Sequence, residues 1–553
     1  MYKIKIFTFL LVLASSFQTL AYSAKDLNSL DVSSFLIAEI AEELNDYDVT
    51  IKHLVKLSKI DPTNQNLYIK LIQNNLFNNN IESANRYYEK LSKIGCNKLD
   101  SYCNDFLQST GPLINGTLYL KKNRNSKAAS AFLKVSLKIN KQDLYLHLLE
   151  AWSWANLSNY LESIKILDSI QSSQMHNEII YHKALIYDLV NEVELASIFY
   201  EQAIAQNQDL SLMNFYLNFL HRNNLNEKKE SALKQLFQGN NYDLLNTNVL
   251  QNQRLIKSQI NGIGVVLYNA MEEVGFESID LSRSILTLAN FSYPNFYEVN
   301  FLLANLLHNS SLYNEALALY KSIPKTHYLG GLSTIQSANL LSLDDQKDQA
   351  IIILQNFLKT HKNFKVLMTL ADHFRYEEDW KKAIENYGKI IEDNRYLIES
   401  DLWNVYYRRG IAYERSNNWT LAEQDFLKAL TLKKGQPDVL NYLGYSWIDS
   451  EINMDEAKLM IESALKQKPD DAYFIDSLAW YYFKTKDFEQ ANSLLSYAAH
   501  LEPTDAIINE HYGDTLWKVG RYIEARYQWN RALDLKPPND LIKKIKVKLL
   551  KGY

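Results

Sequence analysis

Small and apolar residues recur along the C-terminal half of the chain with a period of about 34 residues. Four positions keep this period: a small residue, two alanines and a proline. They are occupied by Gly444, Ala479 and Gly513; by Ala457, Ala491 and Ala525; by Ala464, Ala498 and Ala532; and by Pro469, Pro503 and Pro537. A period of this length predicts a repeated unit of supersecondary structure rather than one large core.

Each unit is predicted to be two antiparallel helices followed by a helix stop. A small residue such as Gly444 on the first helix lets the second helix approach closely, and Ala457 fits where a larger side chain would clash. Ala464 then meets the next unit. Pro469 ends the second helix because proline lacks an amide hydrogen and its ring clashes with the preceding turn.

Tracing the period backward predicts about 14 helix pairs in all. The small and facing positions continue from Gly410 with Ala422 back to Ala270 with Ser282. Earlier copies with the same offset of twelve are weaker, and they are Ala38 with Thr50, Ile72 with Ala84, Gly116 with Ala128, Ala151 with Ser163, and Ala184 with Ala196. Around Phe219 and Ser231 only a helical pattern remains.

These changes in regularity predict five segments. They are an export signal at residues 1–23, a degenerate array at 24–237, a polar joint at 238–257, a regular array at 258–537, and a capping helix or tail at 538–553.

The offsets and residue types resemble the tetratricopeptide repeat (TPR). Three runs are more particular: residues 439–449, 476–480 and 508–517, which read VLNYLGYSWID, DSLAW and INEHYGDTLW. Over about residues 400–537 they look like a bacterial family of exported TPR proteins, one member of which delivers cell-wall hydrolases to a carboxyl-terminal processing protease. The resemblance implies an all-α, right-handed superhelical solenoid of antiparallel helix pairs that binds protein or peptide segments. It names a periplasmic protease or a cell-wall hydrolase as candidate partners.

Charge and motifs argue against several other functions. With 59 Lys and Arg against 64 Asp and Glu, the chain has no basic stripe of the kind that nucleic-acid binding requires. Phosphate-binding glycine loops, nucleophile elbows and His-Glu-x-x-His zinc motifs are absent from the sequence. We therefore expect no enzyme activity, no cofactor, no metal site and no nucleic-acid partner; an enzyme without a recognisable motif is the alternative.

The first residues are typical of a secretory signal. Lys3 and Lys5 precede an apolar run, and small residues near Ala21 and Ser23 suit cleavage. The alternative is a retained membrane anchor, since no charge falls between Ile6 and Ala24. Cleavage predicts a periplasmic protein, whereas retention predicts an anchored accessory subunit of an envelope assembly machine.

Two further features leave alternatives open. Cys96 and Cys103 are the only cysteines, and in an oxidising compartment they are a disulfide candidate; two buried free thiols are the other interpretation. The basic segment from Lys543 to Lys551 predicts a capping helix with solvated lysines, and the alternative is a helix lying on a membrane surface.

The first helix of each pair in such an array lines the concave side, so its open face is where a partner would bind. Residues three, four and seven apart share that face. The predicted partner-binding residues are Tyr445, Trp480 and Trp517 as aromatic anchors, with Asn441, Tyr473, Asp476, Phe483, Glu510 and Asp514 around them. The alternative is that some of these rings pack between repeats. The function predicted from the sequence is a protein-binding scaffold or adaptor.

Overall fold

The computed structural model describes residues 29–97, 99–136, 142–170, 176–206, 209–238, 254–274, 279–393 and 402–553. These residues form 29 helices and no strand. The predicted all-α solenoid of helix pairs is therefore confirmed. The predicted signal at 1–23 and residues 239–253 of the predicted joint lie outside the described residues.

The helices form fourteen successive pairs and one final helix, as the repeat period predicts. In the first half they are α1 Ser29–Glu43, α2 Tyr47–Ile60, α3 Gln65–Phe77, α4 Ile81–Ile94, α5 Ser101–Lys121, α6 Asn125–Phe132, α7 Gln142–Trp154, α8 Tyr160–Ser169, α9 His176–Leu189, α10 Val193–Gln206, α11 Leu210–Arg222, α12 Asn226–Gln238, α13 Gln259–Val274 and α14 Ile279–Ser292. The second half continues with α15 Tyr297–Asn309, α16 Tyr313–Ser322, α17 Gly330–Leu343, α18 Lys347–Leu358, α19 Phe364–Tyr376, α20 Trp380–Glu392, α21 Leu402–Arg415, α22 Trp419–Leu432, α23 Pro437–Asp449, α24 Met454–Gln467, α25 Ala472–Lys484, α26 Phe488–Leu501, α27 Ala506–Lys518, α28 Tyr522–Asp534 and α29 Asn539–Lys551.

The small residues of the period lie where two helices of a pair touch. Ala457, Ala491 and Ala525 are all 0% exposed. A Cβ on Gly513 would come within 2.4 Å of the Trp529 ring, which is closer than any real contact. The predicted register is confirmed at these positions. In the sixth pair it shifts by one residue, because Ser231 is exposed and Ala232 is buried instead.

A residue with positive φ recurs in the turns between the two helices of a pair. This conformation is strained for most residues, and asparagine tolerates it because its short amide can bond locally. The positions include Asn45, Asn79, Asn123, Asn191, Asn224, Ser311, Asp345, Glu378, Asn417, Glu451 and Lys486. In these turns of the first six pairs asparagine thus adopts the positive-φ conformation that glycine commonly adopts at helix ends.

The chain divides into two compact units, one ending at Leu340 and one beginning at Leu341, so the boundary falls within α17. The predicted joint at 238–257 therefore lies inside the first unit. The physical reason is that the helices after the joint return to pack on the helices before it.

In the first unit the seventh pair packs across the first helices of earlier pairs. Helix α13 contacts α5 and α7, and α14 contacts α3 and α5. At the centre, a Cβ on Gly262 would lie 2.0 Å from the ring of Trp152, so only glycine allows this approach. Beside it, the Gln259 side chain donates to the carbonyl of Ser153 at 2.8 Å.

Charged and aromatic groups stabilise the contact between α14 and α3. The Arg283 guanidinium on α14 lies 3.9 Å from the centre of the Phe77 ring, and it bonds to Glu315 and to the hydroxyl of Tyr47. Arg283 is only 9% exposed, so its charge is desolvated but fully paired. The first helices α3, α5 and α7 are thus covered by α13 and α14 on one side, which we call the inner side of the early pairs.

Cys96 and Cys103 are joined by a disulfide in the structure, with their Cα atoms 5.7 Å apart. The bridge ties the end of α4 to the first turn of α5. Cys103 is fully buried among apolar side chains, so this bridge is part of the core of the first unit.

Candidate partner-binding surface

In the second unit, the first helices of successive pairs lie side by side. Helix α25 contacts both α23 and α27. We call the side of these three helices that bears the predicted binding residues the inner surface. Its members are Asn441, Tyr445, Tyr473, Asp476, Trp480, Phe483, Glu510, Asp514 and Trp517.

Trp480 lies at the centre of a stack of rings. Its indole is 4.7 Å from the Phe483 ring at an interplanar angle of 4°, and 4.1 Å from the His511 ring at 13°. Its Nε1 donates to Asp449 at 3.2 Å. Because a neighbouring first helix supplies His511, Trp480 is packed between two repeats and is only 7% exposed.

A cluster of acids surrounds this stack. His511 Nδ1 lies 2.9 Å from Asp476 Oδ1, and Trp529 Nε1 donates to Asp514 at 2.9 Å. Lys548 from α29 bonds to both Glu510 and Asp514. Asp476, Glu510 and Asp514 are 6%, 5% and 1% exposed, so three carboxylates are buried within one cluster.

Burial and charge act in opposite directions on His511. Burial lowers its pKa, but the carboxylates of Asp476, Glu510 and Asp514 outweigh burial and raise the pKa to about 9. Its imidazole is therefore charged at neutral pH and donates to Asp476. Burial and the neighbouring Glu510 raise the pKa of Asp514 to about 7. His511 and Lys548 thus supply two positive charges to a cluster of three carboxyl groups.

Tyr445 and Asn441 are half-buried and lie four residues apart on α23. Burial raises the pKa of Tyr445, and the carboxylates of Asp476 and Asp449 raise it further, so its hydroxyl faces the acids. Asn441 Oδ1 is buried and has no hydrogen-bond partner in the part of the chain described. The Tyr445 hydroxyl can donate to or accept from a chain that lies beside it, whereas the Asn441 oxygen can only accept.

The predicted binding residues differ widely in exposure. Tyr473 is 54% exposed; Asn441, Tyr445 and Trp517 are half-buried. The expectation of an open face was wrong for the buried members, which are Asp476, Trp480, Phe483, Glu510 and Asp514. It was also wrong for Trp517, whose ring packs against Trp529 and Tyr522 of its partner helix α28. The reason is that neighbouring first helices touch one another and the end of the chain covers the last pairs. Whether any of the nine binds a partner stays a prediction.

The end of the chain lies on the inner surface. Tyr553 places its ring 5.6 Å from that of Phe483, edge to face, and Lys548 lies 4.7 Å above the Tyr553 ring. The prediction of solvated lysines was therefore wrong for Lys548, whose side chain is 14% exposed. It holds for Lys543, Lys544, Lys546 and Lys551, which are exposed.

Sequence reasoning missed His511, Lys548 and Tyr553 as parts of this surface. For Lys548 a signal was available, because it follows buried Ile545 by three residues and so shares the apolar side of α29. A lysine on that side needs an acidic partner. For Tyr553 no spacing in the sequence indicates the contact.

The residues that the structure describes lack two features found in other classes of protein. No helix among them is long and apolar enough to cross a membrane. They also contain no group of three or more side chains that could hold a metal ion.

The family model described as "Tetratricopeptide repeat" matches residues 368–437 and 477–540. These residues are tetratricopeptide repeats. TPR-repeat-containing protein PA4667 of Pseudomonas aeruginosa is 28% identical over 145 residues, which cover 26% of this chain and 23% of that protein. The match thus spans about a quarter of each. Repeats of this kind typically mediate protein–protein interaction.

Solved structures of TPR proteins resemble the chain weakly. A TPR protein of Parabacteroides merdae has a TM-score of 0.39 at 17% identity, covering 46% of this chain and 99% of its own. The APC/C hetero-tetramer Cut9–Hcn1 has a TM-score of 0.39 at 14% identity, covering 98% of this chain and 99% of its own. The TPR2AB domain of yeast Sti1 in complex with pHSP90 has a TM-score of 0.19 at 16% identity, covering 40% and 98%.

Proposed function

We propose that this protein is a periplasmic scaffold or adaptor that holds a segment of a partner protein on the inner surface of its last tetratricopeptide repeats. The supporting observation is the composition of that surface. Half-buried Tyr445 lies near the buried carboxylates of Asp476 and Glu510, and exposed Tyr473 lies three residues before Asp476 on α25. Aromatic rings next to desolvated charges are typical of the residues that dominate binding energy.

Rigid support adds to this argument. The Trp480 ring is fixed between Phe483 and His511, so the rings and acids around it are held in place before a partner arrives. Little conformational entropy is then lost on binding, which favours affinity. A surface that runs over several repeats can also provide the roughly 800 Å² per partner of a standard interface.

The periplasmic part of the proposal rests on the sequence before residue 24. A charged start, a short apolar run and small residues at the expected distance support export with cleavage. Mass analysis of the mature protein should find an N-terminus near residues 22–24. An intact Met1 would contradict cleavage and favour the anchored alternative. A periplasmic protease or a cell-wall hydrolase is the partner class to examine first.

Site-specific photo-crosslinking tests the binding surface directly. A photoreactive residue in place of Tyr473 should capture a defined partner, which mass spectrometry then identifies. The matched control is the same residue in place of Tyr497, which is 45% exposed on the second helix α26. The capture at position 473 should be lost with Tyr445→Ala. Equal capture at both positions, or no effect of Tyr445→Ala, would place the interaction elsewhere.

A further inference from the structure

The last residues of the chain already occupy the inner surface as a ligand would. The Lys548 ammonium lies between the carboxylates of Glu510 and Asp514, and the Tyr553 ring lies on Phe483. The Lys518 ammonium covers the same tyrosine ring at 4.7 Å. A lysine and an aromatic ring five residues apart thus occupy the acidic and aromatic parts of the surface.

Gly552 directs the chain to this place. It ends α29 with a φ of +79° and a ψ of −178°, a conformation that side chains strongly disfavour. A Cβ there would also come within 2.2 Å of the Trp517 ring. Only glycine can therefore lie flat on Trp517 and send Tyr553 onto the inner surface.

The helix itself is held by other contacts. Ile545 is 0% exposed and packs with Trp529, while Leu541 and Leu549 lie at the edge of the same cluster. Tyr553 in contrast is 44% exposed. The side chains of Lys548 and Tyr553 can consequently leave the inner surface while α29 stays docked through Ile545.

We infer that the segment from Lys548 to Tyr553 is a built-in competitor for the inner surface, and that the partner presents the same chemistry: a lysine followed by an aromatic residue. This inference rests on the proposed function and specifies its partner. When Lys548 leaves, Glu510 and Asp514 lose the ammonium that lies between them, and His511 remains as the single positive charge beside three buried carboxyl groups, which is costly. A partner that supplies its own lysine restores that charge, so exchange selects a basic segment over a neutral or acidic one.

A peptide copy of the tail tests this competition. The probe is a fluorescein-labelled hexapeptide with the sequence of residues 548–553, KLLKGY, measured by fluorescence anisotropy. The full chain with Lys548→Met and Tyr553→Ala should bind it at least about tenfold more tightly than the wild type, because a tethered competitor acts at an effective concentration of about millimolar. The control is Tyr527→Ala, which removes a tyrosine that is 64% exposed on α28 and should match the wild type.

Two further measurements test the chemistry of recognition. A peptide of the same composition in permuted order should bind the double variant at least about tenfold more weakly than the copy. Adding Glu510→Gln to the double variant should weaken the copy by a similar factor while leaving the helical circular dichroism unchanged. Equal binding of the copy to the wild type and the double variant, or of both peptides to the double variant, would overturn the inference.

The inference and the proposed function fail in different ways. If capture of the partner at position 473 depends on Tyr445 but is no stronger in the double variant, the tail is a structural cap and the proposed function stands. If the copy binds as expected but nothing is captured at position 473, the inner surface binds its own tail only, and the proposed function falls.

Discussion

Both units are built from repeated helix pairs, but the first helices of those pairs have different surroundings in the two units. In the first unit the inner side of the early pairs is covered by two whole helices, α13 and α14, which contribute fully packed groups such as Gly262 and Arg283. In the described part of the second unit, the inner surface of the last pairs is covered by Lys548 of α29 and by a short tail whose final ring is 44% exposed. The first helices of the early pairs are thus part of the core of the first unit, whereas the inner surface of the second unit is covered by a few residues from the end of the chain.

The difference shows what decides whether a repeat array binds a partner. The first helices in both units carry aromatic and polar residues along one face, so their composition does not distinguish the covered unit from the open one. The two units differ in how much apolar area other parts of the chain bury against that face. A partner must displace those parts of the chain before it binds. The binding surface that we propose therefore lies in the second unit.

The largest effect should follow from breaking the covered inner side of the first unit. Trp152 is 0% exposed, packs against Gly262, and donates from Nε1 to His182 at 3.0 Å. Trp152→Ala should lower the free energy of unfolding of that unit by about 3–5 kcal/mol. Leu157→Ala, at a residue that is 76% exposed, is the control and should change it by less than about 0.5 kcal/mol.

Calorimetry of the same variant sharpens the comparison. Two compact units predict two transitions, and Trp152→Ala should move only one of them. A single transition with equal calorimetric and van't Hoff enthalpies, shifted as a whole, would mean that the chain unfolds as one cooperative body.

A smaller effect is expected from overfilling one pair in the second unit. Ala491 is 0% exposed where α26 meets α25, so Ala491→Leu should cost about 1–3 kcal/mol in urea unfolding. Ser496→Leu adds a leucine at an exposed position of the same helix and should cost almost nothing. Equal stability of the two variants would show that the register assigned to this pair is wrong.

Stability of the second unit should also depend on pH through His511. Its pKa in the folded chain is about 9, above the ordinary 6.5, so the folded state holds its proton more tightly. The resulting stabilisation is complete below about pH 6.5 and is lost as the pH rises through about 9. The pKa of Asp514, raised to about 7, acts with the same sign at lower pH. Melting temperatures between pH 6.5 and 10 should fall for the wild type and change less for His511→Gln.

The smallest stability change should come from the tail. Tyr553→Ala removes a ring that is 44% exposed and touches Phe483 at its edge, so we expect a loss of less than about 1 kcal/mol. The same change should make the indole of Trp480 more accessible to acrylamide, which fluorescence quenching measures against Tyr527→Ala. A loss comparable to that of Trp152→Ala would make the tail part of the core and remove the contrast between the units.

The helix pairs could be predicted from the sequence because their determinants are local. Gly513 and Trp529, or Ala457 and the helix that it faces, meet within one period, and the steric requirement repeats every time. The covered inner side of the first unit could not be predicted, since it joins Trp152 to Gly262, more than a hundred residues later. A polar stretch such as residues 238–257 interrupts a repeat but does not say whether the flanking helices meet again.

The candidate surface was predictable in part for the same reason. Helical spacing placed Tyr445, Asp476 and Trp480 on neighbouring positions of successive first helices, and the structure brings them together. Their burial depends on the distance between adjacent first helices and on the contact of the tail with Phe483, neither of which has a sequence signature.

The contact of α14 with α3 also limits how this protein can change in evolution. Repeat arrays commonly lengthen or shorten by whole units, because each unit touches only its neighbours. In the first unit, Arg283 of the seventh pair must reach Phe77 of the second, and Gly262 must reach Trp152 of the fourth. Deleting or duplicating a pair between them would separate these partners by the length and rotation of one repeat. We therefore expect related chains to keep the first unit at constant length and to vary in repeat number only after it.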